Sequence, residues 1–195
     1  MTDSMVPGTP FLLVSSNPGK IAEARLAAGA DLQAAELELP EIQSLDMLEI
    51  LRGKAAAAWE ALRRPLVVEE AGLELSAMNG FPGPLVKWML HAVGAQGIAR
   101  TAEALGDTRA TARCLLLHKD EDQEIVAEGA TAGVLVHPGR GTLGFGWDPI
   151  FLPDGGSCTF AELGGVEKLA VSHRGKAWGE LLRLLRKAPA THPIE

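Results

Sequence analysis

Tyrosine is missing from this 195-residue chain, and aromatic residues make up only 5% of it, so each Phe and Trp is worth placing. Cysteine is nearly missing too: Cys114 and Cys158 are the only two. Two thiols cannot build a disulfide framework or a four-cysteine zinc site, and free thiols in a reducing compartment are expected. No apolar run approaches the length of a membrane span. The opening MTDSMVPGTP has neither a basic start nor a long apolar stretch, so no secretory leader is expected and a cytoplasmic location is. Positive charge is not in excess. The net charge of −7 argues against nucleic acid as a partner, because strand phosphates need a basic surface. It does not exclude one small anion held by a few local cations and a metal.

What is present describes a folded chain. Apolar residues make up 47% and charged residues 22%, and there is no repeat, low-complexity tract or linker. One domain with two lobes over 1–195 is expected, with 1–10 and 188–195 as loose ends. Phe11 to Val14 reads as a buried strand, and Asn17 then caps a helix over Pro18 to Ala28, with proline where its missing N–H is harmless. Leu37 to Leu39 reads as a second strand. Asp46 and Glu49 make a capping box before a helix whose stripe is Leu48, Leu51, Ala55, Ala58, Trp59 and Leu62. Leu66 to Val68 is a strand that ends in Glu69-Glu70-Ala71-Gly72. After an Asn79–Pro84 loop come helices over Leu85 to His91 and Gly97 to Leu105. Ala110 to His118 and Glu124 to Val136 alternate around an acidic turn, a hairpin signal. A Gly-rich loop, His137 to Asp148, follows, and Ser172 caps a last helix with Ala177, Leu181, Leu184 and Leu185 inward. Strand–helix–strand units followed by a hairpin predict an α/β fold with a mixed, elongated sheet flanked by helices.

Three segments carry chemistry. Ser15-Ser16-Asn17-Pro18-Gly19-Lys20 joins a strand to a helix N-terminus, where free N–H groups, the dipole and a lysine can hold phosphate; read blandly, it is a helix cap with a solvated lysine. Glu69 and Glu70 stand at the carboxyl end of an apolar strand, where two carboxylates can hold a hard cation or act as base. Strand alternation sends them to opposite faces unless the strand has ended. Phe145-Gly146-Trp147-Asp148 offers a stacking face and an acceptor, and Lys168, His173 and Arg174 add cations. The last two fall in the first turn of a helix, where a cation opposes the dipole unless it reaches an anion.

Together these segments resemble the inosine triphosphate pyrophosphatase family over Phe11 to about Leu185. The resemblance rests on Phe145-Gly-Trp-Asp-Pro-Ile-Phe-Leu-Pro-Asp-Gly, Thr159-Phe-Ala-Glu-Leu, Glu167-Lys168 and Ser172-His173-Arg174. It implies hydrolysis of ITP, dITP and XTP to monophosphate and pyrophosphate. It also implies a divalent cation, normally Mg²⁺ with Mn²⁺ as a substitute, a homodimer, and a cleft between two lobes. By the same resemblance Ser15 to Lys20 is the phosphate loop, with Ser15, Ser16, Asn17 and Lys20 at the triphosphate. Glu41 is a metal ligand, Lys54 and Lys87 reach the substrate, and Glu70 binds metal and takes the proton of the attacking water. Phe145, Gly146, Trp147 and Asp148 enclose and read the base, and Lys168, His173 and Arg174 contact its 6-oxo side.

The chain departs from the family pattern at the reacting end. Glu70 stands where the family has Asp, Ala71 where it has Ser or Thr at the substrate, Ser16 where it has Gly, and Leu169 where it has Asn. Glu is about 1.5 Å longer than Asp. Two other readings therefore stand beside the pyrophosphatase: a hydrolase retuned for another modified nucleotide, and a nucleotide binder without chemistry.

Overall fold

The computed structural model describes residues 12–187. The expected loose ends, and the start of the first strand at Phe11, lie outside them. Seven strands form one mixed sheet: β1 (Leu12–Val14), β2 (Gln33–Ala35), β3 (Leu66–Leu75), β4 (Pro82–Gly83), β5 (Arg109–Lys119), β6 (Glu124–Leu135) and β7 (Phe151–Pro153). The order is β2-β1-β3-β5-β6-β7, with β4 also on β3. The helices are α1 (Pro18–Ala28), α2 (Met47–Leu62), α3 (Val86–Ala104), α4 (Gly165–Val171) and α5 (His173–Lys187). No helix is long and apolar enough to cross a membrane.

The ten-residue β3 organises the molecule. Leu13 and Val14 of β1 run parallel to its start at Val67 and Val68. Past that point β1 has ended, and β4 takes the same edge only from Leu73 and Glu74. The stretch 69–72 therefore has a neighbour on one side alone, β5. That break in the sheet, beside the loop leaving β1, is where a ligand can approach strand backbone.

Alternation along β3 sorts its side chains. Leu66 and Val68 face α2, in a core with Leu51, Ala55 and Ala58. Val67 faces the other way, into a core built from α1 and α5 with Trp178 and Leu181. Farther along, Leu73 and Leu75 join α3, Phe151 and Phe160. The odd-numbered residues thus cross from one core to another, with Glu69 and Ala71 at the crossing.

Several expectations are corrected. The second strand is 33–35, not Leu37 to Leu39: β1 offers only three residues to pair, 33–35 take them, and Leu37 and Leu39 pack as loop against the α2 core. Glu69 and Glu70 do not end a strand but lie inside one, since β5 continues the ladder to Leu75. The two helices expected after residue 84 form one element kinked at Gly94, whose φ of 68° and ψ of 171° are not helical. The 79–84 loop contains β4, and α4 was not anticipated at all. The hairpin and the Ser172 cap are as expected, with Ser172 Oγ accepting from Gly175 N at 3.1 Å.

Helix α5 lies directly on β6 at Gly129. A Cβ there would run into His173 O and Ala177 N, both backbone atoms. Gly129→Ala is expected to lower stability by about 1–3 kcal/mol through overpacking and to displace the first turn of α5. Urea unfolding checks this; unchanged stability would contradict the packing described.

Candidate active site

A cleft of about 1420 Å³ opens along the gap in the sheet edge beside β3. It is lined by the loop from Ser15 to Lys20, the 36–43 segment, Lys54, 69–71, Lys87 and 145–147, with Arg174 at its floor. It gathers residues from segments far apart in the chain.

At one end the β1–α1 loop presents a helix N-terminus. Asn17 Oδ1 accepts from Gly19 N at 2.9 Å and Lys20 N at 3.1 Å, and Ser15 Oγ accepts from Asn17 N at 3.2 Å. Part of the expected phosphate-binding side chain is thus spent on capping, as its bland reading holds. The turn it fixes keeps the dipole's positive end toward the cleft.

Beside this loop runs a chain of alternating charge. Lys87 Nζ lies 3.2 Å from Glu41, Glu41 lies 3.3 Å from Lys54 Nζ, and Lys54 donates to Glu70 at 2.6 Å. Burial opposes ionisation of Glu41, yet Lys54 and Lys87 hold its carboxyl below the usual range. Burial likewise works against the charge on Lys54, but Glu70 and Glu41 raise its pKa. One ammonium within reach of both carboxylates shows that Glu41 and Glu70 can share a cation. Among the described residues no three His, Cys, Asp or Glu side chains form a ready cage. Two carboxylates alone fit a hard ion that keeps water and completes its shell with phosphate oxygens.

Glu69 points to the other face. Arg174 grips it with Nε at 3.0 and 3.1 Å and a terminal nitrogen at 2.9 Å, and Lys20 approaches at 3.3 Å. Although burial works against its charge, Arg174 and Lys20 bring the Glu69 pKa down to about 2. Such a carboxylate is too well paired to act as a base near neutrality, which leaves Glu70 as the base candidate.

The aromatics stand beside the phosphate loop, on the side away from Glu41 and Lys54. Asp148 is buried and accepts from Phe145 N at 2.7 Å and Lys168 Nζ at 2.5 Å. The backbone turns around it at Gly144 and Gly146, with φ of 74° and 63°; at Gly144 a Cβ would strike the Asp148 carboxylate, so only glycine fits. Burial pushes the Asp148 carboxyl up while Lys168 pulls it back. The Phe145 ring lies beneath Lys168 Nζ at 5.0 Å and Arg174 at 5.5 Å, and it fills the space where Gly19 would carry a Cβ. Trp147 stands 6.2 Å from the His173 ring, which stacks on Phe160 at 5.9 Å. Neither nitrogen of buried His173, nor Trp147 Nε1, has a hydrogen-bond partner. Burial, then Arg174, hold the His173 pKa well below its ordinary value, so the ring is neutral.

Sequence reasoning missed Glu23. This buried α1 side chain binds Lys168 Nζ at 2.6 Å and a terminal nitrogen of Arg174. Its signal was an acid one helical turn after Lys20 and next to inward-facing Ala24. With it, three buried or half-buried cations, Lys20, Lys168 and Arg174, meet three carboxylates, Glu23, Glu69 and Asp148. Of the two cations expected to oppose the α5 dipole, Arg174 reaches anions, whereas His173 is a neutral ring with no hydrogen-bond partner. Of the residues expected at the site, Lys87 lies at the rim and is exposed, as are Ser16 and Gly146. Ala71 lines the cleft with no polar group to offer.

A model of the Ham1 family matches residues 11–184. The chain belongs to the Ham1 family. It is 36% identical over 180 residues to the dITP/XTP pyrophosphatase of Hyperthermus butylicus, covering 91% of this chain and 95% of that protein. It is also 36% identical over 193 residues to the inosine triphosphate pyrophosphatase of Tuber melanosporum, covering 96% and 100%. A solved Ham1 protein from Coxiella burnetii has the same fold, with a TM-score of 0.77 and 28% identity over 91% of this chain and 98% of that one. The Ham1 match spans both ends of the cleft, from the β1–α1 loop to α5.

The neutral His173 has a consequence for pH. Its folded pKa is depressed, so the unfolded chain binds the extra proton below about pH 6.5 and the native chain does not. Stability from this residue is therefore complete above pH 6.5. It falls as pH drops toward the folded value, by up to about 1.4 kcal/mol per pH unit. Urea unfolding of wild type and His173→Phe at pH 7.5, 6.5 and 5.5 should show a steeper acid loss in wild type. Identical slopes would mean His173 is not held neutral.

Proposed function

We propose that this Ham1-family chain hydrolyses deaminated purine nucleoside triphosphates (ITP, dITP and XTP), releasing pyrophosphate and the monophosphate. The observation that carries the proposal is that one cleft brings a helix N-terminus, lysines and paired carboxylates together with the rings of Phe145 and Trp147, with the unpartnered His173 buried behind them. The names of the relatives supply the base class.

In this reading Lys20 and the α1 amides hold the triphosphate. Glu70 orients a water and accepts its proton as the water oxygen bonds to the α-phosphorus; the bond from that phosphorus to the α–β bridging oxygen breaks, and pyrophosphate departs with the bridging oxygen. Glu41 and Glu70 would hold Mg²⁺, which supplies charge neutralisation on the phosphates. The rest is positioning and fixed charge. Phe145 and Trp147 enclose the base, and Asp148 holds Lys168 in place for its edge. His173, Lys168 and Arg174 present donors, which suit a carbonyl at C6. The amino group of adenine would leave such donors unpaired, at about 1–3 kcal/mol for each buried group. A homodimer belongs to the same proposal and is carried by the family resemblance alone; a cytoplasmic location also belongs to it and is carried by the two free thiols.

Pyrophosphate release with Mg²⁺ from ITP, XTP, dITP, GTP, ATP and UTP is the test. Rapid release from ITP or XTP with ATP poor is expected. Glu70→Gln is expected to lower turnover by at least about 100-fold with nucleotide binding retained, and Glu70→Asp to keep or raise it. No release from any substrate by a folded protein that binds ITP would identify a binder without chemistry, and full activity of Glu70→Gln would place the base elsewhere.

A further inference from the structure

Glu69 belongs to neither end of the cleft. It sits inside β3, where the odd-numbered face passes from the α5 core to the α3 core, with 5% of its surface exposed. Its two contacts lead in opposite directions. Lys20 reaches it from the phosphate loop with a single 3.3 Å contact and keeps 21% of its side chain in solvent. Arg174 holds it through three contacts of 2.9–3.1 Å and is otherwise anchored by Glu23. The Lys20 contact is the long and exposed one, so it is the one an arriving polyphosphate can replace. Arg174 has nowhere else to go.

We propose that Glu69 is a positioning residue that couples the phosphate loop to the base-reading side: a polyphosphate draws Lys20 off Glu69, the carboxylate's charge is left to Arg174 alone, and the guanidinium already gripped there is held more tightly for reading the base. Base selection then sharpens only when the phosphates are seated. This rests on the nucleotide reading of the cleft. It also explains why an acid stands immediately before Glu70 yet points away from it. By reciprocity, a base that favours the fixed Arg174 must tighten polyphosphate binding by the same factor.

The experiment separates the two ends of the substrate. Calorimetry measures binding of inosine and of adenosine to the whole chain, each with and without saturating inorganic tripolyphosphate. In wild type, tripolyphosphate is expected to raise the inosine-to-adenosine affinity ratio by about fivefold or more. In Glu69→Gln that gain is expected to vanish while tripolyphosphate binds at least as tightly as before, because Lys20 has lost its competitor. Glu69→Asp, which keeps the charge, should restore part of the gain. A ratio in wild type that ignores tripolyphosphate would overturn the coupling whether or not the variants fold. So would a Gln variant that keeps the gain, or one in which both ligands simply weaken together. Failure of the nucleotide reading looks different: wild type would bind neither inosine nor tripolyphosphate in the cleft.

Discussion

Arg174 lies between two buried carboxylates, Glu69 on β3 and Glu23 on α1, and much else depends on that arrangement. A guanidinium taken out of water is tolerable only when its donors are met, and removing one partner of such a pair typically costs about 3–5 kcal/mol. Here the pairing extends through Glu23 to Lys168 and from Lys168 to Asp148. Five side chains from β3, α1, α4, α5 and the 144–148 loop thus form one network. It fixes where the helices stand on the sheet, and it aims the residues that face the cleft. Such pairing is not by itself a measure of added stability, since an apolar replacement of equal shape is often as stable.

The sheet explains why the site is where it is. A three-residue β1 stops before β3 is half run, and β4 resumes the edge later, so the backbone at 69–72 lies open to the cleft. Because the strand continues through this stretch, neighbouring acids take different faces. Glu70 turns to α2 and Lys54, and Glu69 turns to α1 and α5. Two adjacent carboxylates thereby acquire unlike surroundings, one paired with Lys54 near Glu41 and one held by Arg174 and Lys20. That is a common means of giving similar groups separate tasks.

Much of this was legible in the residues themselves. The Asn17 cap, the Asp46 cap, the β5–β6 hairpin and the Ser172 start of α5 rest on local rules of capping and alternation, and local rules suffice for them. The cleft residues were legible because their order along the chain resembles a family. What escaped were features set by distant partners. Whether Leu37 or Gln33 pairs with β1 depends on the length of β1. Whether Glu70 ends a strand depends on β5, which lies forty residues on. Glu23 looked like any helix acid until α4 and α5 brought Lys168 and Arg174 to it.

The central claim is that one cleft holds a purine at the Phe145–His173 end and a polyphosphate at the α1 end. A structure with a non-hydrolysable ITP analogue tests it most directly. The account requires the base against Phe145 and Trp147, with its C6 oxygen within hydrogen-bond distance of His173, Lys168 or Arg174. It also requires phosphates at Lys20 and the α1 N-terminus. A base lying elsewhere, or phosphates at the aromatic end, would contradict it.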